Sequence, residues 1–282
     1  MLTKTTSRIK TVPSFPDSKA RIVIFDKDGT IIDFDVMWIP WVEDVGKRIS
    51  QLAQRDFYDL VYRELGYNAQ NKQVLPGLLA KGTTLQMRNA LRHALISEGI
   101  ERQKANDIVD EAIRHAMDCC AANKENIKEV TDLRKLFSDL RQNGVKIAIC
   151  TSDDRANTLE MLHVLSIDSF IDYTACGDDA GCTPKPSPYN ALSICRYLDV
   201  DVKQAIVVGD TLADLGMGHS AQVGLTVGVL SGPCPAKHLA PSADILVSAF
   251  FEEITGETLS KFTKCFHKAT FVGQWWQDCN GA

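Results

Sequence analysis

Two acids stand two residues apart at Asp26 and Asp28, followed by Gly29 and Thr30. In extended chain, residues two apart point the same way. Asp26 and Asp28 can therefore share one pocket while Lys27 turns aside. Gly29 lets the chain bend sharply and brings backbone N–H groups near a bound anion. A second pair of acids lies at Asp210 and Asp214. Their i, i+4 spacing puts both on one side of a starting helix. Four carboxylates converging on one place repel each other and demand a cation. Magnesium fits such a set: it takes hard oxygen ligands, needs few from the protein, and leaves room for water and a further ligand. Two other polar stretches complete the candidates. Thr151 and Ser152 follow an apolar run, and their hydroxyls and the next N–H groups can donate to an anion or cap the following helix. Lys185 lies between Pro184 and Pro186, which hold the backbone extended and reduce the entropy lost in placing the ammonium.

These residues need elements that bring them together. Arg21 to Phe25 is a short apolar run rich in β-branched residues and reads as a buried strand ending at the first acid pair. Open α/β sheets bind ligands outside the carboxyl ends of their strands, so the site belongs there. From Val36 to about Ala122 the pattern is helical, with helices expected over Trp38 to Leu65, Leu85 to Glu98 and Arg102 to Cys120, and a Pro- and Gly-containing loop from Leu75 to Thr83. From Glu129 strands and helices alternate. The strands are expected at Val145 to Cys150, Phe170 to Ala175, Ala205 to Val208, Leu225 to Leu230 and Asp244 to Val247. The helices are expected at Thr131 to Asn143, Ala156 to Leu165, Pro188 to Leu198 and Leu212 to Ala221. This alternation implies an α/β fold, a doubly wound parallel sheet with helices on both faces, interrupted by an inserted helical domain. The expected organisation is a tail over 1–20, an α/β core over 21–35 and 125–257, a helical cap over 36–124 and an extension over 258–282. Trp275 and Trp276 in that extension should pack against the domain. Trp38 and Trp41 should pack within the cap, and Lys81 in the loop is a candidate for contact with a ligand anion.

The 282-residue chain is long enough for a sizeable core. Its formal net charge of −5 does not suggest a nucleic-acid partner, and no apolar run has the length of a membrane span. Nine cysteines form no C-x-x-C pair. An odd count without zinc spacing favours reduced thiols and a cytoplasmic setting, with Cys150 a small core residue. His163, His219 and His238 fall into no catalytic pattern, and Asp178 and Asp179 read as loop residues.

The stretch Asp26-Lys27-Asp28-Gly29-Thr30 resembles the first motif, D-x-D-G-T, of the haloacid dehalogenase-like superfamily of phosphotransferases. Thr151 matches the hydroxyl of its second motif, Lys185 the lysine of its third, and Gly209-Asp210-Thr211-Leu212-Ala213-Asp214 its fourth, G-D-x-x-x-D. The four stand in family order and the likeness runs from Arg21 to about Val247. It implies a Rossmann-like core with a helical cap and a Mg2+-dependent phosphatase acting on a small phosphorylated metabolite, as a monomer or homodimer. By the same likeness Asp26 attacks phosphorus and becomes a phosphoaspartate, while Asp28 protonates the leaving oxygen and then activates water. Asp26, Asp210 and the Asp28 carbonyl hold magnesium, and Asp214 acts through water or holds Lys185. Gly29, Thr30, Thr151, Ser152 and Lys185 receive the phosphoryl group. An acid at Asp28 separates the chain from carbon–halogen dehalogenases, which lack it. The D-K-D-G-T-x-x-D start, the inserted cap and G-D-T-x-x-D resemble phosphoglycolate phosphatases. A phosphomutase or phosphotransferase would use the same residues. A binding protein on this fold would have lost a motif residue, and none is lost here.

Overall fold

The computed structural model describes residues 20–122 and 124–247. In chain order the elements are β1 (Ile22–Phe25), α1 (Phe34–Ala53), α2 (Tyr58–Leu65), β2 (Tyr67–Asn68), β3 (Gln73–Val74), α3 (Leu78–Lys81), α4 (Thr84–Ser97) and α5 (Arg102–Ala122). Then come α6 (Leu133–Gln142), β4 (Lys146–Cys150), α7 (Arg155–Val164), β5 (Tyr173–Ala175), α8 (Tyr189–Tyr197) and β6 (Ala205–Gly209). The last are α9 (Leu212–Ala221), β7 (Leu225–Val229), α10 (Ala236–Leu239) and β8 (Ile245–Val247). Six strands form one sheet in the order β5-β4-β1-β6-β7-β8, every neighbouring pair parallel. Phe25 pairs with Ile149 on one side and Val208 on the other, so β1, β4 and β6 end level at the centre of the sheet.

The strand alternation explains the layering. Val23 and Phe25 point to one face with Ile147, Ile149 and Val208, where Leu136 and Phe137 of α6 and Leu162 of α7 cover them. Ile22 and Ile24 point to the other face with Ala148 and Val207, where Ile194 of α8 and Met217 of α9 close it. Central strands buried on both faces read as unbroken apolar runs, which is how these strands stand in the sequence.

Helices α1 to α5 stand in the chain between β1 and β4, with a small antiparallel β2–β3 ribbon. Trp41 is fully buried there, and Trp38 meets it edge-on with ring centroids 5.1 Å apart. The single helix expected from Trp38 to Leu65 is two. Gln54 adopts a left-handed conformation (φ 55°) and ends α1, and the Ser50 hydroxyl accepts the Phe57 N–H at 3.0 Å as the chain turns. Both halves carry the same apolar period, so only the polar interval Gln54-Arg55-Asp56 marked the break. Asp33 caps α1, its Oδ1 accepting the Val36 N–H, so this acid is used in starting a helix. The loop expected from Leu75 to Thr83 holds the single turn α3, and Thr83 with Gln86 forms a capping box for α4. The expectations for residues 1–19 and for Trp275 and Trp276 lie outside the described residues.

Candidate active site

Three adjacent parallel strands deliver the polar groups. Asp26 follows β1, Thr151 follows β4, and Asp210 follows β6. Lys185 arrives from the segment between β5 and α8, and its Nζ donates to Asp26 Oδ1 at 2.6 Å and Asp214 Oδ1 at 2.5 Å. It also donates to the Cys150 carbonyl at 3.2 Å, an end-of-strand acceptor. Asp26, Asp28, Thr151, Ser152 and Lys185 line one cavity, together with Phe34, Trp38, Leu79 to Gly82 and Thr84. The pocket thus has a polar floor of strand ends and a largely apolar roof of inserted helices.

The electrostatics follow from burial. Burial, followed by repulsion from Asp214, pushes the Asp26 carboxyl up to about 7, although Lys185 opposes the shift. Asp210 is raised well above the carboxylate range by burial and then by Asp26 and Asp214, against its bond from Thr30. Burial pulls the Lys185 ammonium down, but Asp214 and Asp26 outweigh it and hold the ammonium well above its ordinary value.

Asp210 shows a gap in this arrangement. Thr30 Oγ1 donates to its Oδ1 at 3.0 Å, while its Oδ2 is buried without a hydrogen-bond partner. The backbone crowds that oxygen: a Cβ on Gly232 would lie 1.9 Å from it, and one on Gly29 2.6 Å. Gly29 also needs its left-handed φ of 82° to turn the chain. Oxygens of Asp26, Asp210 and Asp214 lie within 4.8 Å of one another. An orphaned buried carboxylate oxygen beside two further carboxylates is a donor set that fits a hard divalent cation.

Three comparisons with known proteins bear on this geometry. The family model for haloacid dehalogenase-like hydrolases matches residues 20–222. The chain belongs to this hydrolase family. Its curated relatives include a phosphoglycolate phosphatase of Pseudomonas putida, 26% identical over 222 residues, which covers 77% of this chain and 74% of the relative. Among solved structures, a predicted phosphoglycolate phosphatase from Haemophilus somnus superposes with a TM-score of 0.60 at 16% identity over 89% of this chain and 99% of its own. A proposed β-phosphoglucomutase from Thermotoga maritima gives 0.59 at 19% identity over 89% of this chain and 100% of its own. At these identities the structural likenesses establish the fold.

Gly29 and Thr30 sit differently from expectation, whereas Asp214 and Thr151 each make a contact foreseen for them and a further one or a second role beside it. The Gly29 N–H, expected near a bound anion, donates to the Ile32 carbonyl at 2.8 Å, because the chain closes a tight turn there. The Thr30 hydroxyl is fully buried on Asp210 and away from the cavity. The carboxylate of Asp214 is divided between Lys185 and the capping box of α9, where Oδ2 accepts from Thr211 N at 3.0 Å and Thr211 Oγ1 at 2.5 Å. The Thr151 hydroxyl accepts the Asp153 N–H at 3.1 Å, so it organises the turn before α7 while lining the pocket.

Sequence reasoning missed two sets of residues. Lys27 turns out of the cavity, as extended geometry requires, but its ammonium comes back to Asp28 Oδ1 at 2.7 Å and lies 3.1 Å from Asp153 Oδ2. Burial pulls this ammonium down; Asp28 and Asp153 outweigh that and keep it above the usual lysine range. Asp179, read as a loop residue, grips Arg155 through two bonds of 2.6 Å, and Asp178 accepts the Arg155 N–H, so both pin the start of α7. The signal for Asp179 was an acid following β5 with an arginine following β4. That pairing is visible only once the two strands are known to be neighbours.

Proposed function

We propose that the chain is a Mg2+-dependent phosphatase that hydrolyses a small, anionic phosphate monoester of the phosphoglycolate type. The observation that carries this reading is the convergence of Asp26, Asp28, Thr151 and Lys185 in one cavity beside the unsatisfied Asp210 oxygen. Asp26 and Asp210 would hold magnesium, which when bound supplies positive charge against the carboxylates and the phosphoryl oxygens. Lys185, fixed by Asp214, supplies a second positive charge at Asp26. Asp26 is the nucleophile: its carboxylate attacks phosphorus and the ester oxygen leaves, forming a phosphoaspartate. Asp28 gives a proton to that leaving oxygen and afterwards takes one from the water that cleaves the phosphoaspartate. Acid–base help of this kind is worth about 10²–10⁴ in rate. The rest is positioning and charge neutralisation, as phosphoryl transfer requires.

The roof supports a small substrate. The cavity has about 40 Å³ of space, whereas one water needs about 10–15 Å³ on that measure. Lys81 and Trp38 both line it, and among the described residues the buried Trp38 Nε1 has no partner. A carboxylate on the leaving group would find the ammonium there.

Two measurements test the reading. Asp26→Asn should fold normally and lose essentially all phosphatase activity, because an amide cannot make the attack; retained turnover in the purified variant refutes the mechanism. Lys81→Ala should reduce kcat/KM on carboxylate-bearing esters by about 10-fold relative to neutral alkyl phosphates, the scale of one charge-assisted hydrogen bond. An unchanged ranking of esters would place the specificity elsewhere.

A further inference from the structure

Lys27 is fully buried and stands directly behind the site. Its ammonium donates to Asp28 Oδ1 at 2.7 Å and to the Met161 sulfur at 3.2 Å, and is ion-paired with Asp153 Oδ2 at 3.1 Å. Asp153 is fixed in turn, its Oδ1 accepting the Asp154 N–H at 2.7 Å. Met161 belongs to α7, so the ammonium is anchored both to the turn after β4 and to the helix beyond it.

Burying an ammonium is costly, and a methionine of similar length would satisfy an apolar core without that cost. The charge is placed here despite the cost, against the residue read above as the acid and base. Lys27 does not line the cavity, so it cannot touch substrate. It can act only through Asp28. The side chain of Asp28 has 14% exposure, and one of its oxygens is held by Lys27. No described residue donates to its other oxygen. A carboxylate tethered at one oxygen and open at the other has a fixed rotamer and a single face for exchanging protons.

We propose that Lys27, anchored by Asp153 and Met161, is a positioning residue that fixes the Asp28 carboxylate for proton transfer to the ester leaving group. This rests on the reading of Asp28 as the acid and base. Misplacing a reacting group by about 1 Å costs on the order of 10²-fold, and that is the loss expected when the tether is cut.

The test compares two esters with different needs for a proton. The leaving oxygen of p-nitrophenyl phosphate departs as a stable anion, whereas that of an alkyl phosphate such as 2-phosphoglycolate must be protonated. The value of kcat/KM reports the steps up to cleavage of the ester. In Lys27→Met, kcat/KM on the alkyl ester should fall on the order of 10²-fold. On the aryl ester it should change by less than about threefold, with kcat and KM falling together because the later hydrolysis is slowed. Lys27→Met leaves Asp153 buried without its partner. The double variant Lys27→Met/Asp153→Asn removes both charges, and its kinetics decide the matter if the single variant does not fold. Equal losses on both esters, or no loss, would overturn the proposal. Asp28→Asn serves as the reference. If it shows no difference between the esters, the reading of Asp28 itself fails and takes this proposal with it. If Asp28→Asn shows the difference and the Lys27 variants do not, only the positioning role is wrong.

Discussion

At Asp210 the protein keeps a carboxylate oxygen that no donor satisfies, between two glycines that admit no side chain. Such an atom destabilises the empty site and strengthens a filled one. Asp210→Asn is therefore expected to leave the chelated protein at least as stable as the parent, since it removes a buried carboxyl whose ionisation beside Asp26 and Asp214 is unfavourable. The same change should abolish the rise in Tm expected of the parent with magnesium. Thermal scans of both proteins with chelator and with magnesium check this, and a full magnesium-induced rise in the variant would show that the ion sits elsewhere. Lys185 illustrates the complementary case. Its two carboxylate partners and the strand-end carbonyl satisfy all three donors, so it is held in place before substrate arrives.

At the scale of elements, the roof of the pocket depends on how α4 begins. Thr83 is buried and accepts the Gln86 N–H, while Gln86 Oε1 accepts the Thr83 N–H at 2.9 Å. Thr83→Ala removes half of that box and should cost about 1 kcal/mol. That corresponds to a fall in Tm of about 2–4 °C for a chain of this size. Magnesium-induced stabilisation should be unaffected, because the proposed metal ligands Asp26 and Asp210 follow strands β1 and β6 of the sheet; a change in it would mean that the inserted helices and the strand ends are coupled. The elements were legible to different degrees. The central strands showed as apolar runs ending in Asp26, Cys150 and Gly209, since strands buried on both faces carry no alternation to confuse. Helix α9 was read from Leu212 to Ala221, its observed span. The division of α1 from α2 was hidden because helical period does not report a left-handed residue such as Gln54. Side-chain direction was hidden more deeply. Spacing brought Asp26 and Asp28 together, but could not show that Lys27 returns to Asp28 or that Thr30 is spent on Asp210, because both depend on contacts from distant segments.

Across the whole molecule, the sheet and the inserted helices enclose a concentrated set of buried charges, so global stability must depend on pH and, on the proposed function, should depend on magnesium with it. Asp26 is raised from an ordinary 3.8 to about 7, and Asp210 is raised well above 3.8. The folded chain therefore binds these protons more tightly than the unfolded chain does. Their contribution to stability is complete below about pH 4 and is lost as pH rises through about 7. Lys185 is raised above 10.5, so its contribution is constant over that range. Glu101 and Glu111 are lowered, and their contributions fade only as pH falls below the ordinary glutamate value of 4.5. Between pH 5 and 8, then, the site carboxylates set the trend, and Tm in chelator should fall as pH rises. Magnesium binds only the ionised carboxylates and competes with their protons. Its stabilisation, which grows as ligand exceeds Kd, should therefore increase across the same interval. Scanning fluorimetry from pH 5 to 8 with chelator or millimolar magnesium measures both slopes. A magnesium increment that stays flat with pH would mean that the ion is held by groups other than the raised carboxylates of Asp26 and Asp210.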